Sequence, residues 1–390
     1  MRRLIAVPLA GPAFVDALRR AWDAGDAVLP VDPRLPTESM RALLDEIRPT
    51  HIVEAGRRTR RPDGRPTEHG DAIVLATSGT TASPKGVAIT HAAVDAAAHM
   101  TNARLGVEPA RDRWLCCLPV SHAGGLGVIT RALRSGTPLD VHERFDADAV
   151  DASAATLTSL VATTLARIDP TRWRAIVLGG STPPPHRPPN VLATYGLTET
   201  FGGVVYEGLP LDGVEVRTNP VGLVEIRSPT LLRCYRTPDG DVDPVDADGW
   251  FTTGDAGTVD ALTGVVKVLG RNDDVIITGG EKVWPDALEQ VLRRVDGVDD
   301  VCVVGAPDPI WGERVVAVII ASPPGGASAE QLVERLVDAA RAGGPAWWAP
   351  KQVVVVAALP RTALGKVQRR VVRAQVAGSP PTPPAGSEPA

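Results

Sequence analysis

The chain has 390 residues, with 41 Lys and Arg against 46 Asp and Glu, a net charge of −5. That balance excludes the sequence-wide positive field on which nucleic-acid and acidic-membrane binding rely. Four cysteines without a C-x-x-C pair argue against disulfides and structural zinc and for a reducing, cytoplasmic setting. A chain of this length predicts two or three domains.

Arg2 and Arg3 precede an apolar run, but Pro8, Gly11 and Pro12 interrupt it and Asp16 ends it, so we read no leader there. No segment reaches the ~18 apolar residues of a membrane span. Phe14, Leu18 and Trp22 share one helical face, residues 27–31 read as a strand, Met40, Leu43, Leu44 and Ile47 make a second helical stripe, and residues 51–54 suit another strand. This is βαβ grammar. It continues through a strand at 71–76, a Gly/Ser/Thr loop, a helix after Thr90, and strands at 114–118, 175–178 and 191–194. From about 203 to 270, short alternating segments between Gly, Pro and Asp turns predict antiparallel sheet. Pro285 opens a helix carrying Leu288, Val291, Leu292 and Val295, and Ser328 with Gln331 forms a capping-box signature before another. Apolar runs at 301–304, 315–320 and 353–357 supply strands, and the Pro-rich residues 377–390 read as a disordered tail.

Only five cations are lysine (85, 267, 282, 351 and 366), so each is a place to ask whether a compact ammonium is needed. One of them, Lys85, lies in the most informative segment, TSGTTASPKGV at residues 77–87, directly after an apolar strand. Backbone N–H groups, hydroxyls and one ammonium in a loop after a strand are what polyphosphate oxygens require. It is not a Walker loop, because Pro84 and Gly86 stand where that motif needs Gly and Ser or Thr. Gly125 and Gly127 make only a partial G-x-G, too little for a dinucleotide site.

This segment resembles the phosphate loop of the adenylate-forming superfamily, which includes acyl- and aryl-CoA ligases, nonribosomal-peptide adenylation domains and firefly luciferase. Four further segments match in order: LPVSHAGGL (118–126), TYGLTET (194–200), GWFTTGD (249–255) with GRNDDVIITGGEKVWP (270–285), and PRTALGKVQR (360–369). The resemblance implies an α/β fold: a large domain at 1–271 of α/β subdomains with a small antiparallel β subdomain, then a smaller mobile α+β domain at 272–376. It implies an AMP-forming acid–thiol ligase that uses ATP, Mg²⁺ and coenzyme A, a nucleotide bound by Thr77, Ser78, Gly79, Thr80, Thr81 and Lys85, and a second group at Thr194, Tyr195, Gly196 and Thr198. Tyr195 would stack on adenine, Thr198 touch the α-phosphate and Glu199 hold Mg²⁺; an aromatic face suits a purine and a carboxylate a hard cation. Asp255 would accept the ribose hydroxyls, with Arg271 beside it.

Lys366 would bridge the substrate carboxylate and the α-phosphate, since one anion must attack another. Asp273 would be the hinge that carries Lys366 out and Thr278, Gly279 and Gly280 in towards the thiol-bearing arm of coenzyme A. His122, Gly179, Gly180, Ser181 and Phe201 would line the acyl pocket, His122 as a gate; a histidine capping the next helix is its plain alternative. Residues 194–216, with Gly202–Gly203 and PLDGV at 210–214, are similar to those of actinobacterial o-succinylbenzoate–CoA ligases, which implies 2-succinylbenzoate as the acid. Its benzoate carboxyl calls for a further donor that the sequence does not identify. Two departures stand out: a shorter stretch before the phosphate loop than in most relatives, and the run PPHRPPN at 184–190 where relatives show a helix. Another acyl- or aryl-CoA ligase and a non-catalytic AMP-binding regulator stay open as alternatives. Relatives are often dimeric, but no helix shows an interface stripe.

Overall fold

A computed structural model of the chain describes residues 2–54, 56–77, 85–180, 183–184, 186–322, 329–361 and 367–377. Two compact units emerge: Met1–Arg217, Glu225–Thr252 and Val259–Val266 form the first, and Thr218–Val224, Thr253–Thr258 and Lys267–Ala390 the second. Among the described residues no helix is long and apolar enough to cross a membrane. All four cysteines are buried and free, in keeping with the absence of a disulfide pattern.

The first unit is built on two sheets. In the eight-stranded sheet, Leu4–Val7 lies between Ala27–Pro30 and His51–Glu54, parallel to both. Asp71–Thr77 continues the sheet, and Lys85–Thr90, Cys234–Thr237 and Gly240–Val242 add antiparallel strands at one side. Leu4–Val7 is buried throughout and was not among the predicted strands. Four apolar residues behind two arginines look as much like the start of a leader as like a strand; only pairing on both sides distinguishes them. In the seven-stranded sheet, Leu139–Val141, Trp114–Cys116, Leu157–Val161, Ala175–Gly179 and Val191–Leu197 run parallel in that order, followed by antiparallel Gly202–Tyr206 and Leu209–Pro210. The expected helix after Thr90 spans His91–Leu105, and the Thr90 hydroxyl accepts the Ala93 N–H at 3.1 Å, a side-chain N-cap.

Cys234–Thr237 joins sequence-distant parts of this unit. Its inward residues are Cys234 and Arg236, and Tyr235 lies on the other side. Arg236 is 2 % exposed and donates to the carbonyls of Ile47 (2.8 Å), Pro66 (2.9 Å), Arg48 (3.1 Å) and Arg65. Burial lowers its pKa to about 10, with the charge of Arg65 adding to the effect, so the guanidinium stays charged at neutral pH. The strand next to it carries Gly86, where a Cβ would lie 2.8 Å from Val74 Cγ1 and 3.1 Å from Ile47 Cδ1. Only glycine allows that approach.

The second unit carries a sheet in the order Glu281–Val283, Ile276–Thr278, Gly312–Ala321, Val298–Asp308, with Gln352–Val355 parallel to Gly312–Ala321. Its long strands are covered on both faces. Val301, Val303, Val315, Ala317 and Ile319 pack with Leu288, Leu292, Leu332 and Leu336, whereas Cys302, Val304, Val316 and Val318 pack with Leu359, Val372 and Val376. That is why the sequence shows unbroken apolar runs here instead of alternation. Pro285 starts the helix Pro285–Leu292 as expected, whereas Ser328 of the capping signature lies outside the described residues.

Removing Arg236 takes a donor from four carbonyls, of which that of Arg48 also accepts the Arg65 N–H. Arg236→Ala should cost about 3 kcal/mol, seen as a lower urea midpoint, and Arg236→Lys should recover only part of it, because an ammonium has three donors for four acceptors.

Candidate active site

The strands on either side of the phosphate-loop segment are in register, Thr77 opposite Lys85, and the Thr77 hydroxyl donates to the Lys85 carbonyl at 3.5 Å. Ser78, Gly79, Thr80 and Thr81 lie outside the described residues. The Lys85 ammonium sits 5.4 Å from the centroid of the Tyr235 ring, a cation–π contact. The Tyr235 hydroxyl in turn donates to Glu199 Oε1 at 2.8 Å, and the Glu199 carbonyl accepts the Leu232 N–H at 2.8 Å. Two members of the expected nucleotide site, Lys85 and Glu199, thus meet at one tyrosine that the sequence reading missed. Its signal was scarcity: the chain has only three tyrosines.

Val191–Leu197 brings the next group into line. Its pairing with Gly202–Tyr206 shifts register between Tyr195 and Gly196, so that Tyr195 faces Val205 and Gly196 faces Gly203. A Cβ on Gly196 would fall 1.9 Å from the Gly202 carbonyl oxygen, so no other residue fits this crossing. Thr194 donates from Oγ1 to the Leu178 carbonyl at 3.0 Å, which links its strand to the one ending at Gly179. The Thr198 carbonyl accepts the Phe201 N–H at 3.0 Å, and Phe201 is buried with φ 49°, a left-handed turn that reverses the chain into Gly202. Gly180 also has a positive φ, 84°; Ser181 lies outside the described residues. Arg187, Pro188 and Asn190 form no helix, in line with the proline-rich departure.

His122 occupies the N-cap of the helix Ala123–Ser135, yet its side chain makes no capping hydrogen bond, so capping is not its role. Its ring is open to solvent and at the same time crowded by surrounding protein. The resulting loss of hydration lowers its pKa; the charge of Asp32 opposes this and that of Arg34 reinforces it.

The same helix holds Arg131, which the sequence reading also passed over. It is 5 % exposed, has no carboxylate within ion-pair distance among the described residues, and has its pKa drawn down by burial. Nη1 donates to Ser159 Oγ at 3.0 Å, and the guanidinium lies 5.5 Å from the centroid of the Trp114 ring. On the other side, Cβ atoms on Gly127 and Gly202 would stand 3.3 and 3.8 Å from Nη2. A buried cation facing two glycines, with no counterion among the described residues, has the chemistry to hold an anion. An arginine inside the apolar run GLGVITRAL was the available clue.

In the second unit, Asp255 is buried, with Oδ1 3.4 Å from Arg271 Nη1, and a Cβ on Gly254 would lie 2.8 Å from Arg271 Nη2. Asp273 is exposed in the short helix Asn272–Asp274, and Asp274 pairs with Arg369 at 3.4 Å. Thr278 and Glu281 are partners in a hairpin whose two-residue turn is Gly279–Gly280, with φ 59° and 85°. The Gly279 N–H donates to the Trp311 carbonyl at 2.9 Å, and a Cβ there would strike the Trp311 ring at 2.8 Å. Lys366 lies outside the described residues; its neighbour Arg369 is anchored to Asp286 and Glu289.

Residues 55–228 match the family model of AMP-binding enzymes, and residues 287–366 that of the AMP-binding enzyme C-terminal domain. The chain belongs to the AMP-binding enzymes. Among relatives, it is 37% identical over 337 residues to a probable 2-succinylbenzoate–CoA ligase of Mycobacterium tuberculosis, covering 79% of this chain and 85% of that one. A 2-succinylbenzoate–CoA ligase of Listeria monocytogenes is 30% identical over 332 residues, with 77% and 69% covered. An o-succinylbenzoate CoA synthetase from Bacillus subtilis, solved with its acyl-adenylate intermediate, superposes with TM-score 0.80 at 25% identity, covering 96% and 89% of the two chains. ATP-bound MatB from Rhodopseudomonas palustris gives 0.82 at 22% identity over 97% and 89%, a likeness of fold.

Because the folded value is depressed, the stability that neutral His122 confers is present above the ordinary histidine pKa of 6.5 and is lost as pH falls through the folded value. An NMR titration of the ring should show its midpoint below 6.5.

Proposed function

We propose that the chain is a 2-succinylbenzoate–CoA ligase. In the first half-reaction an oxygen of the succinyl carboxylate attacks the α-phosphorus of ATP, forming the acyl-adenylate and releasing pyrophosphate. In the second, the thiolate of coenzyme A attacks the acyl carbon and AMP departs. Similarity to ligases of this acid over most of the chain supports the reading. The observation that carries it is Arg131: this acid brings a second carboxylate, and the chain holds a buried cation without a counterion. We assign the benzoate carboxylate to Arg131, in an acyl pocket that begins at His122 and includes Gly179, Gly180 and Phe201.

On the nucleotide side, the reading gives Lys85 and Thr198 to the phosphates, Tyr195 to adenine, and Asp255 with Arg271 to the ribose. Glu199 suits Mg²⁺: Oε1 is taken by Tyr235, Oε2 has no partner among the described residues, and no cluster of three candidate ligands surrounds it. One carboxylate completed by phosphates and water is the coordination this small cation prefers. Bound there, it would neutralise charge on the phosphates. Lys366 adds its ammonium between attacking carboxylate and α-phosphate in the first step, and the Gly279–Gly280 turn serves the thiol-bearing arm in the second.

ATP–pyrophosphate exchange should be supported by 2-succinylbenzoate and not by benzoate, fatty acids or amino acids, followed by thioester formation with coenzyme A; exchange only with another acid removes the assignment. Arg131→Met should raise KM for 2-succinylbenzoate by about 10²-fold, the loss expected when a buried carboxylate is left without its partner. The same variant should unfold at the same temperature as wild type or higher, because an uncompensated buried charge is replaced by an apolar chain.

A further inference from the structure

Tyr235 lies in none of the segments that carry the family likeness, yet it stands between two groups that do. Its hydroxyl donates to Glu199 Oε1 at 2.8 Å, and its ring faces the Lys85 ammonium at 5.4 Å. Lys85 and Glu199 form no ion pair with each other. That is a notable arrangement for opposite charges sharing one neighbour, because direct pairing would satisfy both and leave neither for a ligand. The tyrosine gives each a weaker, uncharged partner instead.

Its own position is fixed from both sides. Tyr235 pairs with Val87, two residues beyond Lys85, and Arg236 next to it is locked into the core by its carbonyls. The Leu232 N–H holds the Glu199 backbone to the same segment.

We propose that Tyr235 is a positioning residue for adenylation, an uncharged spacer that keeps Lys85 and Glu199 apart and orients Glu199 so that Oε2 is left for a divalent cation. The proposal rests on the reading of Glu199 as the metal carboxylate and Lys85 as a phosphate contact.

The test uses the full chain as Tyr235→Phe, Tyr235→Leu and Glu199→Gln, with Mn²⁺ as the probe. Three quantities are measured: Mn²⁺ affinity of the enzyme–ATP complex by electron paramagnetic resonance, ATP affinity without metal by calorimetry, and thioester formation from supplied acyl-adenylate and coenzyme A. Tyr235→Phe keeps the ring and loses the hydrogen bond, so Mn²⁺ affinity should fall about tenfold, as for loss of a bond to a charged group, with metal-free ATP affinity unchanged. Tyr235→Leu also removes the spacer and should weaken metal-free ATP binding about threefold or more, as Lys85 turns to Glu199. Both variants should form thioester at the wild-type rate. Wild-type Mn²⁺ affinity in Tyr235→Phe, or equal loss in both half-reactions, overturns the proposal. If Glu199→Gln weakens Mn²⁺ binding and Tyr235→Phe does not, only the role of Tyr235 falls; if Glu199→Gln is also without effect, the metal reading falls and takes the proposal with it.

Discussion

A reaction between anions needs positive charge that the protein has not already neutralised. Most arginines of this chain are spent on structure: Arg233 on Asp71, Arg174 on Asp112, and Arg369 on Asp274, Asp286 and Glu289. Arg131 and Lys85 differ. One is buried beside a serine, a tryptophan and two glycines, the other sits over an aromatic ring, and neither has a carboxylate within ion-pair distance among the described residues. Withholding the counterion leaves such a cation less stable in the empty protein and more attractive to an anionic ligand.

Close backbone approach makes this possible. Gly196 crosses Gly202, Gly86 passes under Val74 and Ile47, and Gly127 with Gly202 leaves room at the Arg131 guanidinium. Each is a point where a side chain would occupy the space that a partner needs. Arg236 plays the complementary part, a charged group used as a staple among backbone carbonyls. It ties the strand bearing Tyr235 to backbone that is more than a hundred residues away in sequence, and so couples the stability of the core to the placement of the proposed spacer.

The second unit follows a different rule. Its two long strands are apolar on both faces because helices cover both. The polar residues of these strands sit near their ends, and a buried network beside them brings Glu289, its pKa raised by burial, to Arg369. That network also reaches Asp274 beside the proposed hinge.

The sequence by itself carried the alternation of helices and strands, because periodicity and local turn chemistry are written in neighbouring positions, and it carried five motifs through their resemblance to the adenylate-forming superfamily. The helix after Thr90 and the helix opened by Pro285 were legible for that reason. Leu4–Val7 was not, since four apolar residues state neither their partners nor their depth. Arg131 and Tyr235 were decided only by tertiary structure: Arg131 meets Ser159 and Gly202, and Tyr235 meets Glu199 and Lys85. Whether an arginine has a counterion, or a tyrosine separates two charges, depends on contacts between chain segments tens to hundreds of residues apart, and no local pattern encodes them.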